Sequence, residues 1–356
     1  MSVPFSASSG GYTAYRIPAL TVAPDGSLLA LAEGRKNSVG DSGEIDIVLR
    51  RSADAGATWG PQAIVTSHGA NTAGNPCIVT DPASGDLVLL SCGNAGTAIE
   101  ADILKGLATR QVYVQRSTNS GATWTTPADI TSQVKASWMR WYGTGPGRGV
   151  AVTQGPHAGR LVIPANHSRA PALGSSDTGA ELRYLGAHAI VSDDGGHTWQ
   201  ISFTSSNPTG SLNENETAVA ELGDGRLYFN CRDQNGTTPG TRADAWSTDG
   251  GSTLQTAYRV QGTITTPAVH GSLLQVPNGP LLYAGPEHPD GRIAMAVRRS
   301  DDGGRTWWTC RKISGLHAAY SSMALIDDAT LGLLYETGGW TPYDQIEFTT
   351  VPVSEL

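Results

Sequence analysis

The eight residues Ser52-Ala-Asp-Ala-Gly-Ala-Thr-Trp59 decide the fold, because the chain repeats their pattern four more times. The pattern Ser-x-Asp-x-Gly-x-Thr-Trp, called the Asp box below, returns at 117–124, 192–199, 247–254 and 300–307. Successive boxes begin 65, 75, 55 and 53 residues apart. Only Asn119 and Leu254 depart from the pattern at a key position. A unit that recurs on this scale indicates a modular array of similar supersecondary elements.

Each Asp box has the chemistry of a tight turn between two strands. The Asp and Ser side chains can bond to the local backbone, Gly supplies a positive φ, and Thr and Trp re-enter a strand. Alternating or apolar runs such as 45–49 and 111–115 precede the boxes. Calcium loops are also rich in Asp, but the boxes lack the bidentate Glu that ends such a loop. We therefore expect the boxes to build the fold and to do no chemistry.

Hairpin signals of a second kind give the size of the array. Ala23-Pro-Asp-Gly26 precedes an apolar run, and similar turns stand at 81–86, 155–160, 223–226, 277–280 and 327–330. A repeat of 55–75 residues fits about six times into 356 residues. The sequence thus predicts an all-β fold, a six-bladed β-propeller of four-stranded antiparallel sheets. No linker or change in composition interrupts it, so we expect residues 1–356 to form a single domain.

Charge and composition exclude several classes of partner. The formal net charge of −8 argues against nucleic acid and anionic membranes, which attract basic proteins. No apolar run approaches the length of a membrane span. The first residues, 1–6, lack the basic start and apolar core of a signal peptide, which predicts a cytoplasmic protein as written, or a secreted one if a signal was removed. The four cysteines have no metal-binding spacing, and we expect free thiols, no metal, no cofactor and a monomer.

Three arginines stand where strand patterns call for apolar residues. Arg16 lies within an apolar first strand, Arg232 ends a hydrophobic strand, and Arg292 begins another. One such arginine is usually a surface residue whose head group reaches solvent. These three belong to different repeats, and the strands of a propeller converge on its central channel. The three guanidinium groups could therefore bind one carboxylate together.

The sequence also resembles a known family. Tyr15-Arg16-Ile-Pro18 followed by several Asp boxes resembles the exo-sialidases (neuraminidases) of the bacterial and animal type. Further matching stretches are 141–147, 161–167, 215–222 and 332–336. The resemblance extends over nearly the whole chain in the right order. It implies an exo-α-sialidase, a retaining glycoside hydrolase that removes terminal sialic acids from sialylated glycans.

The resemblance also implies a set of catalytic residues. Tyr320 corresponds to the nucleophile, Glu216 to the carboxylate paired with it, and Asp41 to the acid/base. A sialic acid carries its carboxylate on the anomeric carbon, so a neutral tyrosine avoids the repulsion that a carboxylate nucleophile would meet. A phenol with a pKa of about 10 needs a neighbouring base to attack.

The substrate-binding residues follow from the same resemblance. Arg16, Arg232 and Arg292 correspond to the triad that binds the sialic acid carboxylate. Glu336 corresponds to the residue that orients Arg16, and Arg35 to an arginine that reaches the 4-hydroxyl. Two tryptophans, Trp138 and Trp141, are candidate walls of the pocket.

Several assignments have competitors in the sequence. Glu214 competes with Glu216, and Asp46 competes with Asp41, although Asp46 lies inside an apolar strand. His167 fits a structural or rim position better than a catalytic one. His270 stands where the family often has Gln, which predicts a change in the region of the glycerol side chain or the aglycone.

Two other functions compete with the sialidase. A related hydrolase could act on another ulosonic acid, such as the deaminated sugar, because an arginine triad recognises only the carboxylate. A non-catalytic Asp-box propeller could bind protein or glycan, but it would have no reason to keep all these residues together. A trans-sialidase is disfavoured, because no residues are left over for a lectin domain.

Overall fold

The computed structural model describes residues 1–207, 209–236 and 240–356, and nearly all regular structure in them is β. The strands are β1 (Ser2–Ser6), β2 (Ala14–Val22), β3 (Leu28–Arg35), β4 (Ile45–Ser52), β5 (Ala63–Thr66), β6 (Thr72–Thr80), β7 (Leu87–Asn94), β8 (Gln111–Ser117), β9 (Ala128–Asp129), β10 (Met139–Thr144), β11 (Gly147–Arg148), β12 (Val150–Ala151), β13 (Leu161–Arg169), β14 (Leu185–Ser192), β15 (Gln200–Thr204), β16 (Glu214–Glu221), β17 (Leu227–Asp233), β18 (Arg242–Ser247), β19 (Arg259–Val260), β20 (Ser272–Gln275), β21 (Leu281–Pro286), β22 (Met295–Ser300), β23 (Trp308–Lys312), β24 (His317–Asp327), β25 (Thr330–Gly338) and β26 (Gln345–Pro352). Two short α-helices, α1 (Glu100–Leu104) and α2 (Thr131–Val134), and three single 3-10 turns, Gly155–His157, Leu182–Tyr184 and Val353–Glu355, accompany them.

Consecutive strands pair antiparallel, as in the blades of a propeller. The sheets β16-β17-β18-β19 and β20-β21-β22-β23 follow chain order, and β10-β13-β14-β15 carries β12 as an extra strand. In the sheet β1-β26-β25-β24, the first strand of the chain pairs with the last, with Phe5 opposite Ile346. This pairing closes the ring. The predicted all-β propeller of four-stranded antiparallel sheets is confirmed.

The number of separate sheets differs from the prediction. The sequence predicts six, whereas the hydrogen bonds of the described residues form five, four of which have four or five strands. The fifth has nine strands, because a parallel bridge between Ile45 and Thr72 joins β2–β5 to β6–β9, and β11 also pairs with β6. A repeated turn motif fixes each hairpin but not the contacts between neighbouring units.

The Asp boxes are turns between two strands, as predicted, and each lies between the third and fourth strands of a unit. In the first box, Ser52 donates to Asp54 at 2.7 Å and accepts from the N–H of Gly56 at 2.8 Å, while Asp54 accepts from the N–H and hydroxyl of Thr58 at 2.9 and 2.6 Å. The box with Asn119 keeps this bonding, since its amide oxygen accepts from the N–H of Thr123. The motif is therefore a hydrogen-bonded turn in which Asn can replace Asp.

The hydrophobic core lies between adjacent sheets. One cluster joins Val88 and Leu90 of β7 to Leu161 and Ile190 of the next sheet, with the box residue Trp199 among them. Gly56 shows why a box needs glycine: its φ is +84°, and a Cβ there would lie 2.0 Å from Cε1 of Phe348 in the preceding blade. The boxes thus pack the blades against one another.

The innermost strands are irregular where they approach the channel. Register shifts interrupt β2 after Arg16, β6 at Gly74–Cys77, β10 at Met139–Tyr142, β16 at Glu214–Thr217 and β24 at Ala318–Ser321. A β-bulge turns side chains away from the regular alternation and is common next to active sites. These irregularities aim several side chains into one cavity.

Two further predictions concern thiols and membranes. The four cysteines are free thiols, three of them buried. No helix within the described residues combines the length and the apolar character needed to cross a membrane.

Candidate active site

A cavity of about 400 Å³ opens where the innermost strands begin. Its lining consists of Arg16, Ile17, Glu33, Arg35, Asp41, Thr72, Asn75, Glu100, Arg110, Trp141, Asn166, Asn215, Glu216, Arg232, Gln234, Arg292, Tyr320 and Tyr343. Eight of the ten residues proposed from the sequence lie in this lining. Glu336 lies directly behind it, and Trp138 lies outside it.

Glu336 holds Arg16 and the strand of Tyr320 together. Its carboxylate is fully buried and accepts from Arg16 Nε at 2.9 Å and Nη2 at 3.4 Å. It also accepts from the backbone N–H of Ile17 at 2.8 Å and of Tyr320 at 3.1 Å. The Arg16 guanidinium is therefore fixed in charge and direction, with Nη1 left toward the cavity.

Tyr320, Glu216 and Arg232 form a hydrogen-bonded group on the cavity floor. The Tyr320 hydroxyl donates to Glu216 Oε1 at 2.5 Å, and Arg232 Nη1 donates to Glu216 Oε2 at 3.1 Å. Arg232 Nη1 lies 3.5 Å from the same hydroxyl. Tyr320 is 5% exposed, so its phenol meets a ligand in a largely water-free setting.

The electrostatics of this group keep the proton on tyrosine before a reaction begins. Burial and then the Glu216 carboxylate raise the pKa of Tyr320 far above its ordinary value. Burial opposes ionisation of Glu216, but the charge of Arg232 and the hydrogen bonds from Tyr320 and Arg232 together outweigh it and lower the pKa of Glu216. The pair is thus a neutral phenol beside an ionised carboxylate, as a nucleophile and its base require.

Asp41 lies in the cavity lining, on the segment between β3 and β4. Its Oδ1 lies 2.7 Å from Arg35 Nη1 and 3.7 Å from Arg16 Nη1, and its side chain is 69% exposed. Partial burial opposes its charge, but the guanidinium groups of Arg35 and Arg16 outweigh it and lower the pKa of Asp41. Arg35 is itself held by Glu33 at 2.6 Å.

Arg292 completes the cluster of cations through a residue that the sequence did not indicate. Its Nη1 donates to the hydroxyl of Tyr343 at 2.7 Å. The Arg16 guanidinium carbon lies 4.1 Å from the centre of the Tyr343 ring. Tyr343 therefore separates the two arginines and holds both at the cavity.

The structure corrects the prediction for Trp138. Trp138 packs against Arg169, whose guanidinium lies 4.4 Å from its ring, and against His167. Trp141 lines the cavity and donates from Nε1 to Asn166 at 3.0 Å. Trp138 precedes β10, whereas Trp141 lies within it at the register shift between Met139 and Tyr142.

The competing acids lie elsewhere. Asp46 is fully buried and accepts from the Tyr12 hydroxyl at 2.8 Å, outside the cavity lining. Glu214 is also outside the lining, and burial raises its pKa to about 7. His167 is buried with Nδ1 at 3.2 Å from Nδ1 of His188. Of each pair of alternatives, Asp41 and Glu216 are the members in the cavity.

His270 packs behind Tyr320. It lies outside the cavity lining, 2% exposed, with its ring 5.6 Å from the ring of Tyr320. Burial lowers its pKa to about 4, so the imidazole is neutral near pH 7. It therefore packs against Tyr320 from behind, and its effect on the glycerol or aglycone region stays a prediction.

Sequence reasoning also missed Asn75 and Arg110 on the cavity wall. Asn75 has a φ of +54° and accepts from Arg110 Nη2 at 2.5 Å, while the Arg110 guanidinium lies 4.3 Å from the Trp141 ring. The sequence does contain a signal for the register shift in β6 next to Asn75. Pro76 has no N–H to donate to the sheet, and Pro18 has the same effect in β2 after Arg16.

The cavity suits an anionic ligand. Five arginines and four carboxylates line it, a surplus of one positive charge on a chain whose net charge is −8. No group of three or more His, Cys, Asp or Glu that could hold a metal ion occurs in the described ranges. The arrangement can bind a carboxylate with several guanidinium groups and present a phenol with its base beside it.

Comparison with known proteins defines the class and then the family. The family described as BNR repeat-like domain matches residues 26–333, so the chain belongs to this class of repeat proteins. It is 32% identical over 350 residues to a sialidase of Micromonospora viridifaciens, which covers 92% of this chain and 50% of that protein. It is 29% identical over 350 residues to a sialidase of Bacteroides fragilis, covering 91% of this chain and 60% of that protein. The chain belongs to the sialidase family.

A solved structure agrees with this assignment. A Hadza microbial sialidase superimposes with a TM-score of 0.84 and 29% identity over 99% of this chain and 68% of that one. The chain spans about half of the Micromonospora protein and 60% of the Bacteroides protein. The resemblance noted in the sequence is thereby confirmed at the level of the family.

Proposed function

We propose that this protein is an exo-α-sialidase that hydrolyses terminal sialic acids from glycans with retention of configuration. The observation that carries the proposal is the 2.5 Å hydrogen bond from Tyr320 to Glu216 in a cavity that also presents Arg16, Arg232 and Arg292. Membership in the sialidase family supports the reaction class.

In the proposed complex, the substrate carboxylate lies between Arg16, Arg232 and Arg292. Each guanidinium is already fixed by a protein partner, respectively Glu336, Glu216 and Tyr343. Little rotamer entropy is lost on binding, and the anomeric carbon that carries the carboxylate is placed next to the Tyr320 oxygen.

The first step forms a bond between the Tyr320 oxygen and the anomeric carbon. The phenol proton passes to Glu216, the glycosidic C–O bond breaks, and its electron pair takes a proton from Asp41. In the second step water attacks the same carbon, Asp41 accepts the water proton, and Glu216 returns a proton to the departing tyrosine. Two inversions give net retention.

Asp41 has to gain a proton before it can act as an acid. In the empty cavity Arg35 and Arg16 lower its pKa. A bound substrate carboxylate neutralises part of this positive field, and the sugar removes water from the exposed Asp41 side chain. Both changes raise the pKa of Asp41, so substrate binding prepares the acid.

The test compares Tyr320→Phe with the native chain on the 4-methylumbelliferyl glycoside of N-acetylneuraminic acid. We expect kcat to fall at least about a thousandfold, because the nucleophile is lost. Tyr335→Phe is the matched control, since its hydroxyl bonds Glu347 at 2.6 Å away from the cavity. NMR of the native reaction should show the α-anomer of the free sugar first, and the β-anomer first would refute retention.

The deaminated sugar remains an alternative substrate. The wall formed by Asn75, Arg110 and Trp141 is rich in N–H donors, which also suit a hydroxyl in place of the acetamido group. The corresponding deaminated glycoside is therefore assayed in parallel. Cleavage of this glycoside alone would keep the mechanism and change the substrate, and inactivity of the native chain on both would overturn the proposal in favour of a binding module.

We further propose that residues 1–356 form one catalytic propeller of six blades. The nine-stranded sheet then counts as two blades, β2–β5 and β6–β9, which share a single bridge between β4 and β6. Each half has four strands, and each has its own Asp box between the third and fourth strand.

A further inference from the structure

Two surface segments each place a side chain of the cavity lining next to Arg16. Residues 36–44 carry Asp41, which lies 3.7 Å from Arg16 Nη1. Residues 339–344 carry Tyr343, whose ring centre lies 4.1 Å from the Arg16 guanidinium carbon. A ligand group that extends out of the cavity from an atom next to Asp41 therefore passes close to both segments.

Both segments hold out an apolar side chain. Trp340, three residues before Tyr343, is 90% exposed, and Val39, two residues before Asp41, is 50% exposed. Tryptophans of the Asp boxes such as Trp199 are buried by contrast, at 4%. A tryptophan that is almost wholly exposed to water contributes little to the stability of the chain. Its position on a segment that lines the cavity therefore indicates a role in ligand binding.

Neither side chain is on a loose segment. Asp344 accepts from the N–H of Trp340 at 2.9 Å and from the N–H and hydroxyl of Thr341 at 3.2 and 2.8 Å. The carbonyl of Val39 accepts from Arg35 at 2.5 Å. The backbone beneath each apolar side chain is thus fixed before a ligand arrives, which lowers the entropy lost on binding.

We propose that Trp340 and Val39 form a subsite for the neutral hexose to which the sialic acid is attached. The proposal rests on the proposed function, since the hexose is bonded to the oxygen that Asp41 would protonate. A pyranose has a face of C–H groups that packs on an aromatic ring, while its hydroxyl groups stay in water. Trp340 supplies the ring, and Val39 bounds the opposite side.

The experiment compares two substrates that differ only in the aglycone. Sialyllactose carries a hexose at this position, and the methyl α-glycoside of N-acetylneuraminic acid carries none. For Trp340→Ala we expect kcat/KM to fall about tenfold on sialyllactose, mainly through KM, and about twofold or less on the methyl glycoside. Trp340→Phe should recover most of the loss, because it restores an aromatic face.

Trp308→Ala is the matched control, since Trp308 is 53% exposed on β23 and packs on Arg299 outside the cavity. An unchanged kcat/KM on sialyllactose in Trp340→Ala, or an equal loss on both substrates, overturns the subsite. A ganglioside in phosphatidylcholine vesicles is assayed as a third substrate. If Trp340→Ala lowers kcat/KM on this ganglioside alone, the subsite is overturned and Trp340 is assigned to membrane contact. Failure of the proposed sialidase function is distinguishable from failure of the subsite, because the native chain would then release no sugar from either substrate.

Discussion

Replacing Glu336 with glutamine tests how the cavity is held in shape. The carboxylate accepts four N–H groups, two from Arg16 and one each from Ile17 and Tyr320, and it is fully buried. The amide keeps one oxygen, and its NH₂ would face donors where the second oxygen stood. The negative charge that compensates Arg16 is lost as well. The substitution therefore disturbs Arg16, a proposed substrate-binding residue, and Tyr320, the proposed nucleophile, through the two oxygens of one side chain.

The magnitude follows from the burial of this ion pair. Breaking a buried pair by removing one partner costs about 3–5 kcal/mol. With a shift of about 2 °C per kcal/mol, as for large domains, we expect the melting temperature of Glu336→Gln to fall by about 6–10 °C. Because Arg16 loses its fixed direction, we also expect KM to rise about a hundredfold, equivalent to about 2.8 kcal/mol.

The assay is a thermal melt combined with kinetics on the 4-methylumbelliferyl glycoside. Glu347→Gln is the control, because Glu347 lies on the adjacent strand β26 and bonds Tyr335 away from the cavity. A Glu336→Gln variant with native melting temperature and native KM would refute the reasoning. A lower melting temperature with an unchanged KM would show that Glu336 supports the fold without positioning Arg16.

Two further predictions concern stability. Burial, followed by the nearby Arg169, lowers the pKa of His167 to about 3, and burial followed by His167 lowers the pKa of His188 well below its ordinary value. As the pH drops, these histidines therefore take up protons in the unfolded chain before they do so in the folded chain. The free energy of unfolding should fall by about 1.4 kcal/mol per pH unit for each histidine below pH 6.5. Urea unfolding between pH 7 and pH 4.5 should show a shallower loss in His188→Gln, and an identical slope would contradict the assignment. Gly56→Ala should destabilise by about 1–3 kcal/mol more than Gly26→Ala, since both glycines have φ above +80° but only the Cβ at Gly56 meets a neighbour, Phe348. Equal losses in urea unfolding would show that backbone strain alone matters.

The scaffold could be predicted because its signals are local. The side chains that shape an Asp box, such as Ser52, Asp54 and Thr58, bond within seven residues of one another. Such a turn forms wherever its sequence occurs. The joining of β2–β5 to β6–β9 could not be predicted in this way, because the bridge between Ile45 and Thr72 depends on how two units pack.

The site was predictable only in part, for a related reason. Arg16 stands out because a charged group interrupts an apolar strand, whereas Tyr320 was identified only through the resemblance to the sialidases. No local signal separates Trp138 from Trp141, but Trp138 lies just before β10 and packs against Arg169 and His167 outside the cavity lining. Tyr343 was missed because nothing local marks it: its contacts to Arg16 and Arg292 bridge 327 and 51 residues of sequence.

The Asp boxes and the cavity residues lie on opposite faces of the propeller, because neighbouring strands of each sheet are antiparallel. The first strand of a unit starts at the cavity, as β2 does near Arg16, so the turn after it and the turn after the third strand both lie on the far face. The Asp boxes occupy that far face. Segments between the second and third strands, such as 36–44 and 339–344, return to the cavity and carry Asp41 and Tyr343. These segments have no repeated motif, and one of them carries Trp340, the residue proposed above to bind the hexose.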